Sequence, residues 1–134
     1  MAIDSPIKCS VITPERAVLE TTARSIVYPQ HDGSAGILQG RAPLVCELGI
    51  GILKIETTDQ GIKEFFVDRG FAQVRNNDVS ILTQRAVPAE QISRAEAEKA
   101  LAAAEAMKIT DDASFQSRQD ALQRARVQLQ MAKK

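Results

Sequence analysis

With 134 residues and no formal net charge, the chain has room for one modest core rather than two large ones. Balanced charge and only five aromatics (one Tyr, four Phe) exclude nucleic-acid binding as its main task, since that needs a basic surface or a stacking platform. No run approaches the roughly 20 apolar residues that span a bilayer, so no direct bilayer insertion is expected. The opening Met1-Ala-Ile-Asp-Ser-Pro6 lacks the basic-then-apolar order of a signal peptide.

Composition divides the chain at Pro88. All seven glycines and all five prolines lie in residues 1–88, while residues 89–134 hold twelve alanines. The expectation is a β-rich domain over 1–87 and a helical hairpin domain over 88–134. In chain order, Ile7–Ile12 alternates loosely between apolar and polar side chains until Thr13-Pro14. Arg16–Thr22 and Arg24–Tyr28 follow as strand candidates, then Leu44–Leu48 and Gly51–Thr57 on either side of Gly49-Ile50. Asp59-Gln60-Gly61 marks a turn before Lys63–Val67, and Asn76-Asn77-Asp78 marks another between Gly70–Arg75 and Val79–Leu82. Eight to ten short strands at this spacing predict antiparallel sheets packed as a sandwich or flattened barrel. Cys9 and Cys46 sit in apolar runs without a CxxC or His-rich neighbourhood, and read as buried free thiols.

The segment His31–Pro43 interrupts the strand pattern with Gly33, Gly36 and Gly40. No Gly-Lys-Ser/Thr follows, so it is not a phosphate loop. Two readings stand: a tight surface loop whose glycines supply positive φ, or a loop that lies close against a partner backbone. His31 is the only histidine and stands beside Asp32 in a turn, where a solvated side chain is expected. HExxH, EF-hand and Cys/His-cluster patterns are missing from the sequence, so no catalytic residue, metal ligand or cofactor is assigned.

After Pro88, a first helix is predicted from about Ala89 to about Lys108, with a thin stripe of Ile92, Ala97, Ala100, Leu101, Ala104 and Met107. Thr110-Asp111-Asp112 breaks the pattern, and Asp112 or Ser114 is the expected cap of a second helix running to the C-terminus. Phe115, Arg118, Leu122, Ala125, Leu129 and Ala132 form its seam, and the short connection favours an antiparallel pair. Few large apolar residues line that hairpin, so it is expected to be marginal alone and to move relative to the β body. Residues 113–134 carry five Lys/Arg against one Asp, and this +4 segment is either a solvated basic face or a contact for an acidic surface.

These residues resemble a known family. The run Gly33-Ser-Ala-Gly-Ile-Leu-Gln-Gly-Arg-Ala-Pro43 fits a G-x-x-G-I-L-x-G-x-A-P pattern. It stands with Val11-Ile-Thr-Pro-Glu-Arg16 before it and the Ala-rich hairpin after it, and the whole chain resembles the epsilon subunit of bacterial and chloroplast F-type ATP synthases. The resemblance implies a non-catalytic rotor part of the central stalk, peripheral on the cytoplasmic face of the inner membrane. It implies a flattened antiparallel sandwich of about ten strands that grips the gamma subunit and rests on the ring of c subunits. Gly33, Ser34, Ala35 and Gly36 are then the loop facing the ring, and Gly40, Arg41, Ala42 and Pro43 belong to the same gamma- and ring-facing end. The hairpin is implied to inhibit ATP hydrolysis by engaging the alpha/beta catalytic subunits, with Arg118, Arg124 and Arg126 as its basic contacts.

Some members bind ATP between the two helices through an I/L-D-x-x-R-A motif. Here that stretch reads Ile92-Ser93-Arg-Ala-Glu96-Ala97, with Arg124 matching one second-helix arginine and Gln128 standing at the other. Serine for aspartate and a carboxylate for arginine leave a degenerate motif, so ATP binding is expected to be weak or absent. Arg41 and Gln39 also depart from the usual histidine and proline. The competing readings are a generic β-sandwich binding module with a helical dimerisation hairpin, which would not join gamma, and a small hydrolase, for which no catalytic set is present.

Overall fold

The computed structural model describes residues 6–132 apart from Gln39 and Arg41. The chain divides into two compact units, residues 1–87 and 88–134. Seven strands form the first among the described residues: β1 (Ile7–Ile12), β2 (Ala17–Gln30), β3 (Gly33–Leu38), β4 (Leu44–Thr57), β5 (Ile62–Arg75), β6 (Asp78–Thr83) and β7 (Ala86–Pro88). They pair in the order β1-β6-β5-β4-β2-β3, β7 adds to β5, and β1 also pairs with β2. That last pairing closes β1, β6, β5, β4 and β2 into a five-stranded barrel, with β3 and β7 as additions. Closure requires a parallel partnership, β1 with β6 from Lys8↔Asp78 to Ile12↔Leu82.

The unit is therefore not a flattened antiparallel sandwich of about ten strands. Three strands of 14 residues account for the difference. Each changes the phase of its inside-outside alternation midway, so each reads in sequence as two short strands. In β2, Ala23 points inward and then Ile26 and Tyr28, with a register irregularity between Ala23 and Ser25. In β4 the inward residues pass from Leu48 to Leu53 and Ile55, and in β5 from Phe65 and Val67 to Ala72 and Val74. β4 and β5 nevertheless keep one register from Leu44↔Val74 to Glu56↔Ile62. Their shared turnover falls at Arg69 (φ 61°) and Gly70 (φ 124°). A side chain at Gly70 would collide with the Leu82 carbonyl on β6, so the position admits only glycine.

Inward side chains fill the barrel: Ile7, Cys9, Val11, Ile26, Ile37, Leu53, Ile55, Val67, Val79 and Ile81 are all buried. Both thiols are free; Cys9 is buried and Cys46 half-buried. Burial, aided by the negative charge of Asp78, pushes the Cys9 thiol up to about 12, which keeps it neutral and inert. Phe66 is equally buried but on the opposite face of β5, with the Arg85 guanidinium 5.5 Å from its ring centroid.

In the second unit the first helix begins later than its alanines suggested. Ala89–Gln91 form one 3-10 turn, Ile92 is extended, and α1 runs from Arg94 to Glu105. Ser93 fixes that start, because its side chain accepts the Glu96 N–H. α2 spans Asp112–Met131 and is capped by Asp111, one residue before the earliest expected cap. Ser114 N–H donates to Asp111 Oδ1 at 2.8 Å and the Ser114 hydroxyl accepts the Asp111 N–H at 3.0 Å. The helices pack together with Ala97, Ala104, Leu122, Ala125 and Ala132 buried. Phe115 leaves the expected seam and is 47% exposed, as are Met107 and Ile109 to similar degrees near the connection.

Candidate docking surfaces

Gly33–Gly36 is not a loop. The turn is His31-Asp32, and Gly33–Leu38 is strand β3, paired from Gln30↔Gly33 to Ser25↔Leu38. Along it Gly33, Ser34 and Gly36 are exposed, Ala35 is half-buried and Ile37 points into the core. Gly36 lacks the positive φ that its expected loop role required. A Cβ there would meet only the Ile26 carbonyl at 3.8 Å, an ordinary contact, so neither conformation nor internal packing asks for glycine at this position.

Beyond β3 the chain passes Gly40 to reach Ala42 and Pro43, all three exposed, while Arg41 lies outside the described residues. The Gly40 N–H donates to the Asn77 side-chain oxygen at 2.8 Å.

The strand pairings reveal a surface that alternation arguments in the sequence passed over. Leu82 of β6 stands beside Phe71 of β5 and Ile12 of β1, and Gln73 of β5 stands beside Val45 of β4 and Ser80 of β6. Phe71 is 51% exposed, Val45 66% and Leu82 41%. These residues occupy the outward positions of strands whose inward positions already fill the barrel, so nothing inside the barrel needs them. The available signal was that Phe71 and Leu82 fall on the polar beat of their strands.

On the hairpin the expected basic residues have separate environments. The half-buried Arg118 donates from Nη2 to the Glu105 carbonyl at 3.3 Å, satisfying one of the unpaired carbonyls at the end of α1. Arg124 is half-buried and Arg126 exposed. Among the residues of the degenerate nucleotide motif, Ser93 and Glu96 form the start of α1, with Glu96 N–H donating to Ser93 Oγ at 3.2 Å. Glu96 is exposed in the first turn, where its charge favours the helix dipole; Ile92 is half-buried and Ala97 fully buried. Ser93 thus acts as the helix cap while Glu96 contributes only its backbone N–H, leaving an exposed carboxylate where a nucleotide site would need an arginine.

Among the described residues no group of His, Cys, Asp and Glu is placed to hold a metal ion, and no helix is long and apolar enough to cross a membrane. Residues 6–89 match the family described as ATP synthase, Delta/Epsilon chain, beta-sandwich domain. The ATP synthase epsilon chain of Rhodopirellula baltica is 40% identical over 127 residues, covering 95% of this chain and 98% of that one. The ATP synthase epsilon chain of a Cyanothece species is 34% identical over 128 residues, covering 91% of each. In three dimensions the chain is similar to one in the Euglena gracilis mitochondrial ATP synthase, solved as OSCP/F1/c-ring, with a TM-score of 0.85, 27% identity, and coverage of 98% and 84%. With this similarity extending over nearly all its length, the chain belongs to the family of ATP synthase epsilon chains, non-catalytic rotor subunits of the central stalk.

Proposed function

We propose that the barrel links the gamma subunit to the ring of c subunits, and that the hairpin restrains ATP hydrolysis by reaching the alpha/beta catalytic subunits. The observation that carries the ring contact is Gly36. It is exposed, extended and has room for a Cβ, so a close-approaching partner backbone supplies the reason for glycine that the fold does not. Gly33, Ser34 and Ala35 line the same hairpin end. Gamma meets the outward row of Ile12, Leu82 and Phe71 and the exposed Val45 one row away, together with Gly40, Ala42 and Pro43, because an apolar patch on an otherwise filled barrel is what a docking partner covers. On this reading the subunit is peripheral, on the cytoplasmic face of the inner membrane.

Arg118, Arg124 and Arg126 supply the hairpin's attraction to an acidic surface of the catalytic subunits. Serine at 93 and a carboxylate at 96 lack the groups that would hold a phosphate there, so ATP bound between the helices is not what releases the hairpin. A chain ending after Val87 tests the assignment. The truncated rotor should assemble and support synthesis while latent ATP hydrolysis rises; unchanged hydrolysis would remove the inhibitory role.

A further inference from the structure

The β5–β6 turn does more than reverse the chain. Asn76 and Asn77 both have left-handed backbones (φ 51° and 62°), between the paired residues Arg75 and Asp78. Such a two-residue turn is served by asparagine or glycine alike, so the backbone alone leaves the Asn77 side chain unassigned. That side chain reaches back 37 residues to accept the Gly40 N–H at 2.8 Å, while the Asn77 carbonyl accepts the Lys8 N–H at 2.8 Å. One residue therefore ties together the start of β1, the β5–β6 turn and the chain that leaves β3. Beside it lies an open polar cleft of about 310 Å³, lined by Gln73, Arg75, Asn76, Asp78 and Ser80. Gln73 and Ser80 flank the exposed Phe71–Leu82 pair on the same outward face.

We propose that Asn77 is a positioning residue, holding Gly40 so that Ala42 and Pro43 continue the outward face of β5 and β6 into one docking surface for gamma. This rests on the reading of Gly40–Pro43 as a gamma contact. The side chain touches no reacting group; its work is to remove the freedom of an exposed segment before a partner arrives. A neutral hydrogen bond of this kind corresponds to about a two- to tenfold effect.

The test compares Asn77→Gly, which keeps the left-handed turn and removes the acceptor, with Asn77→Asp, which keeps an acceptor oxygen. In the full chain, Asn77→Gly should speed exchange of the Gly40 amide about two- to tenfold by NMR. It should weaken binding to purified gamma by a similar factor, with the unfolding temperature lowered by no more than several degrees. Asn77→Asp should preserve both slow exchange and affinity. Unchanged Gly40 exchange in Asn77→Gly would overturn the tether, and faster exchange with unchanged gamma affinity would overturn its positioning role. Ala42→Glu separates the underlying reading. If that substitution leaves gamma binding intact, the segment is no contact, whatever the Gly40 amide does.

Discussion

Replacing Gly70 by alanine puts a Cβ where β5 crosses beneath β6. Two costs add. The backbone φ of 124° lies where L-residues rarely go, which costs about 1–3 kcal/mol. The new methyl also meets rigid backbone, colliding with the Leu82 carbonyl and standing 2.8 Å from Thr83 Cα, and such overpacking costs a further ~1–3 kcal/mol. The expected loss of about 2–6 kcal/mol is a large share of the ~5–15 kcal/mol that a typical domain has in total. Gly61 is the control: it also has positive φ (77°), but a Cβ there meets nothing within 4 Å, so Gly61→Ala should cost only the backbone strain. Urea unfolding of both full-length variants, followed by far-UV circular dichroism, reads the difference. Equal midpoints for the two would refute the claim that the β5–β6 approach, rather than the dihedral, fixes glycine at position 70.

Further outcomes follow from the outer surface and the hairpin. Phe71→Asp should leave the melting temperature within a few degrees of the parent while weakening gamma binding at least tenfold in a titration; intact binding would remove Phe71 from the docking surface. Arg118→Ala, which removes the donor to the Glu105 carbonyl, should speed amide exchange through the last turn of α1, whereas Arg126→Ala should not; equal exchange in the two variants would deny Arg118 its capping role. The Asp111 carboxyl is held below its ordinary value, first by the Ser114 backbone N–H and then by the Ser114 hydroxyl. A lowered folded-state pKa gives stability that is present above the unfolded value and lost as pH falls through the folded one. The start of α2 should therefore fray on acidification below the ordinary Asp range, and an Asp111→Asn chain should not show that pH dependence by circular dichroism.

The change from strands to a helical hairpin along the chain was legible in sequence, because glycine, proline and alanine report directly on backbone preference. Strand number was not. A period-2 pattern identifies a strand only while its phase holds, and β2, β4 and β5 each switch phase at a bend instead of ending. Nor does alternation disclose that β1 meets β6 in parallel, since that pairing joins residues about 70 apart and leaves no turn signature between them. Helix limits shifted for a local reason: a side-chain cap at Ser93 outweighs the helix propensity of the alanine and glutamate that precede it. At the surface, glycines 33 and 36 were conspicuous as residue types, but their environment was not, for strand and loop glycines look alike in a sequence. Phe71 and Leu82 stayed hidden because an exposed apolar residue is distinguished from a core one only by the side of the sheet on which it falls.

The closing pair β1–β6 has a mechanical consequence for a part that turns. In two stacked sheets, torque crosses from one sheet to the other through slippery side-chain contacts, which resist shear weakly. Here the hydrogen-bond ladders run without interruption around the circumference, from β1 through β6, β5, β4 and β2 and back to β1. Twisting such a tube loads many backbone bonds at once and in parallel, and its rim offers no unpaired seam at which to split.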